Sequence, residues 1–145
     1  MAAMDEKIRY WVDISEYDLA TAEAMLTTGR YLYVGFMCHQ AIEKILKAHY
    51  QLMKEKMPPK THNILFLLKA ATLFDSLSDR QKAFMETLLP MNIESRYPDY
   101  RDRLLKSLDR EKCCIILHET REMHAWIKEK LKEKQDVMQA PQEVS

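Results

Sequence analysis

Between residues 31 and 48, YLYVGFMCHQAIEKILKA, the apolar positions Val34, Cys38, Ala41/Ile42, Ile45 and Ala48/His49 recur at steps of three and four. That spacing is the mark of a helix with one buried face. Set into the same segment is a polar cluster, His39, Gln40, Glu43, Lys44 and Lys47, whose members also stand three or four residues apart. They therefore line one flank of the helix. Two readings of that flank follow. It faces a groove and binds phosphate or a base, or it is structural: Glu43 and Lys47 form an i,i+4 pair, His39 sits hydrogen-bonded at a helix contact, and Lys44 is solvated.

The rest of the chain reads as helix too. Ile8, Trp11/Val12, Ser15, Leu19, Ala22 and Met25/Leu26 stripe a first helix over residues 5–28, with Gly29 just past its end. The second covers residues 31–56 and stops before Pro58-Pro59. Thr61 or Asn63 caps a third, striped by Leu65, Leu68, Ala71 and Phe74; Ser78 with Gln81 forms a capping-box pattern for a short fourth carrying Phe84, Leu88 and Leu89. Residues 90–98 break the periodicity and predict an ordered loop, because Ile93 and Tyr97 are not expected to be left in water. A short piece over residues 102–106 leads to a last long helix, residues 108–134, striped by Cys113, Ile116/Leu117, Thr120, His124, Ile127 and Leu131. With 2 Gly, 5 Pro and no alternating β-branched run, the expected fold is all-α: an up-and-down antiparallel bundle of four or five helices. One domain spans residues 1–134, and 135–145 form a flexible C-terminal tail.

Twenty-two basic side chains balance 22 acidic ones. No long-range pull toward nucleic acid or membrane is built into the whole molecule, and little discourages self-association. The three cysteines, Cys38, Cys113 and Cys114, show no disulfide-like spacing and suit a reducing compartment. No early segment has the apolar core of a signal peptide and no run approaches membrane-spanning length, so a soluble, cytoplasmic protein is expected.

The HQAIEKILKA segment (residues 39–48), THNI (61–64) and RYPD (96–99) resemble, in order, three landmarks of the HEPN family, the higher eukaryotes and prokaryotes nucleotide-binding domain. The resemblance covers residues 11–131. It implies a helical bundle that pairs as a homodimer, binds a nucleotide, RNA or a nucleic-acid end, and acts beside a minimal nucleotidyltransferase as a substrate-binding or regulatory subunit. The ligand-binding candidates are then His39, Gln40, Glu43, Lys44 and Lys47 on the helix, with Arg96, Tyr97 and Asp99 in the loop. Arg96 offers a planar fork suited to phosphate or carboxylate. Alternatively Arg96 pairs with Glu43 or Asp99 and pins the loop, while Tyr97 plugs the end of the core.

Many HEPN proteins resemble metal-independent RNases that carry Arg, four to six residues, then His. Here Arg110 and His118 have seven residues between them, Arg30 and His39 eight, and Arg121 and His124 two. None fits, so a non-catalytic binding module is expected. The alternatives are an RNase toxin that uses Arg110 with His118 or His124 across a dimer, and a dimerisation scaffold with its interface around Trp126 and the polar flank of the second helix. Cys114 and His118 stand at i,i+4, but the chain has no CxxC or HExxH, and neither metal nor cofactor is expected. His62 is expected to help cap the third helix or to edge a groove.

Overall fold

Gly29 takes φ +75° and turns the chain between α1 (Ala2–Thr27) and α2 (Tyr31–Lys54). The computed structural model describes residues 2–93 and 97–139. The Arg30 N–H reaches back to the Met25 carbonyl at 2.8 Å and the Gly29 N–H to that of Leu26 at 3.2 Å. This paired closure satisfies the last carbonyls of α1, and it needs the left-handed residue that glycine supplies without strain.

The later helix starts follow local chemistry equally closely. Asn63 Oδ1 accepts the backbone N–H groups of Leu65 and Phe66 and so caps α3 (Ile64–Ala70). Ser78 and Gln81 complete their reciprocal capping box at α4 (Asp79–Leu88). Pro98 stands in the first turn of α5 (Pro98–Ser107), where its missing N–H costs nothing. Asp109 accepts from the Lys112 N–H at the start of α6 (Arg110–Gln139). Short 3-10 turns lie at Phe74–Ser76 and Leu89–Met91, and no strand occurs among the described residues.

Cross-helix contacts set the directions. Ser15 meets His124, while Glu16 pairs with Lys128 and Glu23 with Arg121, so α1 runs antiparallel to α6. Cys113 faces the Tyr31 carbonyl and His49 the Ile127 carbonyl, so α6 runs parallel to α2. Arg80 pairs with Glu119, and Thr87 shares a groove with Ile115 and Ile116, which makes α4 antiparallel to α6. The result is an all-α, up-and-down bundle of α1, α2, α4 and α6, with α3 and α5 closing its ends.

Helix α2 runs through the middle. From Val34 to Leu52 it is buried on nearly every side, with Ile42, Ile45 and Leu46 packed among Leu67, Leu68, Met85, Leu88 and Ile127. Each such side chain contributes roughly 1.5–3 kcal/mol by leaving water. Gly35 lets the 89–91 turn come close: a Cβ there would stand 2.8 Å from the Met91 Sδ.

Three expectations are corrected. Tyr97 is 85 % exposed at the entry to α5 and plugs nothing, although Ile93 is buried as expected. Helix α5 is longer than the expected 102–106, because Pro98 is a helix starter as well as a loop stiffener. The last helix opens at Arg110 rather than 108 and continues through 135–139, beyond the expected end at 134. No described helix is long and apolar enough to cross a membrane.

Candidate functional site

Burying α2 on most sides carries its polar flank indoors. Glu43 is 0 % exposed, and two lysines and two histidines gather around its carboxylate. Lys47 Nζ donates to Oε2 at 3.1 Å, and Lys44 Nζ stands 3.6 Å from the same oxygen. On the other oxygen, His62 Nδ1 lies at 2.9 Å and His39 Nδ1 at 3.9 Å, too far for a hydrogen bond. A buried carboxylate persists only with such company, since desolvating an unpaired charge is prohibitive.

Helix α1 closes the near side. The Trp11 ring lies 5.7 Å under Lys47 Nζ, and its indole N–H points to Gln51 Oε1 at 3.5 Å. Burial pushes the Asp18 carboxyl from 3.8 up to about 6; the Lys44 charge pulls it down and the Glu43 charge pushes it further up. The cluster reaches water at two points. Lys44 is 21 % exposed and His62 is 45 % exposed, whereas Glu43 and Lys47 lie behind them.

His62 is held by its neighbours in sequence. The Thr61 N–H closes a tight turn on the Pro59 carbonyl at 2.8 Å, the Asn63 N–H bonds to Thr61 Oγ1, and Asn63 then caps α3. Pro58 is buried beneath this loop. The ring therefore meets Glu43 from a backbone fixed on both sides.

The structure thus brings together His39, Glu43, Lys44 and Lys47 and turns them inward as one cluster. Gln40 lies on the same flank, and its Oε1 is buried with no hydrogen-bond partner among the described residues. The expected loop half does not join them. Tyr97 and Asp99 sit at the start of α5, where Pro98 and Arg101 line a groove with Leu32, about 16 Å along α2 from Glu43. Arg96 lies outside the described residues. Arg110 and His118 are both exposed on α6, and His118 pairs with Glu122 at 2.9 Å. Arg121 pairs with Glu23, whereas His124 is buried against Ser15. Cys114 is exposed, Cys38 and Cys113 are buried, and no group of three or more His, Cys, Asp or Glu among the described residues is arranged to hold a metal.

Sequence reasoning missed the α1 side of the cluster and did not pair His62 with Glu43. Asp18 and Trp11 stand seven apart on one face of α1, but nothing in α1 alone says which polar flank that face meets. His62 had a usable signal: a histidine directly before an Asn cap cannot take part in the helix and must point elsewhere.

Two further polar places complete the picture. His124 Nε2 and Ser15 Oγ are 2.8 Å apart; His49 Nε2 donates to the Ile127 carbonyl at 2.8 Å, while Lys134 Nζ lies 3.3 Å from His49 Nδ1 and donates to the Ala71 carbonyl at 2.6 Å. Burial lowers both histidines to about 4, so both are neutral at pH 7. Separately, a groove of about 620 Å3 runs between the ends of α1 and α6, with Ile8, Val12 and Leu131 at its floor and Arg9, Lys128 and Glu129 on its rim. None of the expected site residues lines it.

The model of the HEPN domain family matches residues 8–131. Among solved structures, TT1696 from Thermus thermophilus is similar with a TM-score of 0.71 at 22 % identity, covering 86 % of this chain and 98 % of that one. At that identity the likeness is one of fold. No curated protein matches the chain.

Proposed function

Because this chain belongs to the HEPN family, we propose that it is a non-catalytic, dimeric binding module that takes a nucleotide or a nucleic-acid end at the Glu43 cluster and serves a minimal nucleotidyltransferase as its partner subunit. The observation that carries the reading is the uneven burial of the cluster: the carboxylate is sealed while Lys44 and His62 reach water.

A fold gains little from such an arrangement. Replacing a buried ion pair by well-packed apolar side chains is often neutral or stabilising by about 1–4 kcal/mol. Asp18, whose carboxyl is pushed up by burial beside this cluster, makes the place a functional-site candidate. Of the two lysines Lys47 stands closer to Glu43, which leaves Lys44 as the ammonium able to meet an external anion. Gln40 adds a buried acceptor on the same flank. The zero net charge does not oppose pairing of two copies.

The test is a thermal-shift screen against nucleotides and short RNAs, with RNA integrity read in the same wells and the oligomeric state measured by light scattering. Ligand at a hundredfold its Kd stabilises the fold by about 2.7 kcal/mol. The reading predicts such a shift for at least one ligand, its loss in Lys44→Glu, intact RNA and a dimer. Cleaved RNA, or a shift that survives Lys44→Glu, overturns it.

A further inference from the structure

We propose that His62 and Lys44 select a ribonucleotide carrying a 3′-phosphate, His62 Nε2 accepting the 2′-hydroxyl and Lys44 Nζ taking the phosphate. The proposal rests on the nucleotide-binding reading above and names the ligand's distinguishing chemistry.

Glu43 Oε1 lies 2.9 Å from His62 Nδ1, with His39 Nδ1 farther off at 3.9 Å on the same oxygen. In the neutral ring, a carboxylate on Nδ1 requires that nitrogen to carry the proton. Nε2 is then a lone-pair acceptor. It makes no hydrogen bond among the described residues, and its side chain is half exposed. In that form it takes a donor from solution, such as a hydroxyl, and not an anion.

The anion is met next door. Lys47 satisfies Glu43 Oε2 at 3.1 Å and is held over the Trp11 ring, so it is committed inside the cluster. Lys44 stands 3.6 Å from the same oxygen, beyond a good hydrogen bond, and its side chain is 21 % exposed. One carboxylate therefore holds an acceptor on one oxygen and a cation beside the other. A ligand matched to both offers a hydroxyl close to a negative group. In a 3′-phosphorylated ribonucleotide the 2′-hydroxyl is on the carbon adjacent to the phosphate; a 2′-deoxy counterpart has no hydroxyl there, and that difference is what lets a protein tell RNA from DNA. The Pro59–Thr61 turn and the Asn63 cap hold the His62 backbone in advance, so little ordering is needed on binding.

Isothermal titration of the intact protein tests this with the four nucleoside 3′-monophosphates, their 2′-deoxy counterparts and the four 5′-monophosphates. For at least one base, the 3′-ribonucleotide is expected to bind about tenfold more tightly than its deoxy form, the strength of one good hydrogen bond. His62→Phe is expected to weaken the ribonucleotide by the same factor and leave the deoxy form unchanged, so the two losses do not add. Lys44→Met weakens both 3′-forms alike and keeps the preference. Equal ribo and deoxy affinities, or a preference that survives in His62→Phe, overturn the assignment. Binding of 5′-monophosphates alone overturns it while leaving the nucleotide-binding reading in place. Binding of no mononucleotide overturns it, and the absence of a shift with short RNAs as well removes both.

Discussion

Around Glu43 the buried polar groups are ionic, and the cluster leads outward through Lys44 and His62 to water. Along α6 they are neutral imidazoles, each stapled to a fixed partner: His124 to Ser15 of α1, and His49 to the Ile127 carbonyl with Lys134 at its other nitrogen. The α6 contacts do what a hydrogen-bonded core needs. They pair the buried imidazoles and fix how α6 lies on α1 and α2, and a neutral imidazole costs less to desolvate than a charge. The Glu43 cluster gives the fold less and asks more of it, because charges are expensive to bury. Polar burial alone is therefore no pointer to function. Charge that is buried at one end and open at the other is.

The largest effect expected from breaking that contrast is at Glu43. Glu43→Ala strands the Lys47 ammonium and should lower stability in urea by about 4 kcal/mol; a loss under about 1 kcal/mol would show that the cluster is not internally paired. Acid comes next. His49 and His124 have folded-state values near 4 against 6.5 unfolded, so the unfolded chain binds more protons between those values. Their contribution is present above pH 6.5 and is lost as pH falls toward 4. Asp18 works with the opposite sign: its raised value of about 6 gives stability that is present below 3.8 and lost as pH rises through 6. Two histidines outweigh one aspartate, and melting curves should show a net loss of about 3 kcal/mol between roughly pH 7 and pH 4.5. A flat profile would mean that the histidines are not buried neutral.

A smaller change sharpens the same comparison from the other side. Asp18→Asn removes a carboxylate whose charged form is disfavoured by burial, so it should raise stability at pH 7 by about 1 kcal/mol and steepen the acid loss. Lower stability at pH 7 would make Asp18 a needed partner of Lys44. The smallest effect belongs to Lys44→Met, within about 0.5 kcal/mol of wild type by denaturant melting. That substitution is expected to act on ligand binding and not on the fold.

Most of the helices were legible because their signals are local: Gly29 after α1, the Pro58-Pro59 stop, the Ser78–Gln81 box and the three- and four-residue stripes each act within a turn or two. The polar flank of α2 was legible as a set of residues but not as an interior. The stripe of α2 suggests one buried face, and only the packing of α1, α3 and α6 around it puts His39, Glu43 and Lys47 inside. Tyr97 misled for the reverse reason. Its apolar body argues for burial, yet Pro98 opens a helix that leaves the ring in solvent. Asp18 and Trp11 reach the cluster through contacts between residues far apart in the chain, which one helix's periodicity cannot encode.

The claim that the Glu43 cluster is where the protein meets its ligand, and that His49 and His124 only hold the fold, is tested most directly by following backbone amide NMR shifts while a nucleoside 3′-monophosphate is titrated in. The account predicts that the shifts concentrate at residues 40–47 and 61–64 and leave the surroundings of Ser15, His124 and Lys134 unchanged. Shifts centred on the α1–α6 contact, or none at saturating nucleotide, would contradict it.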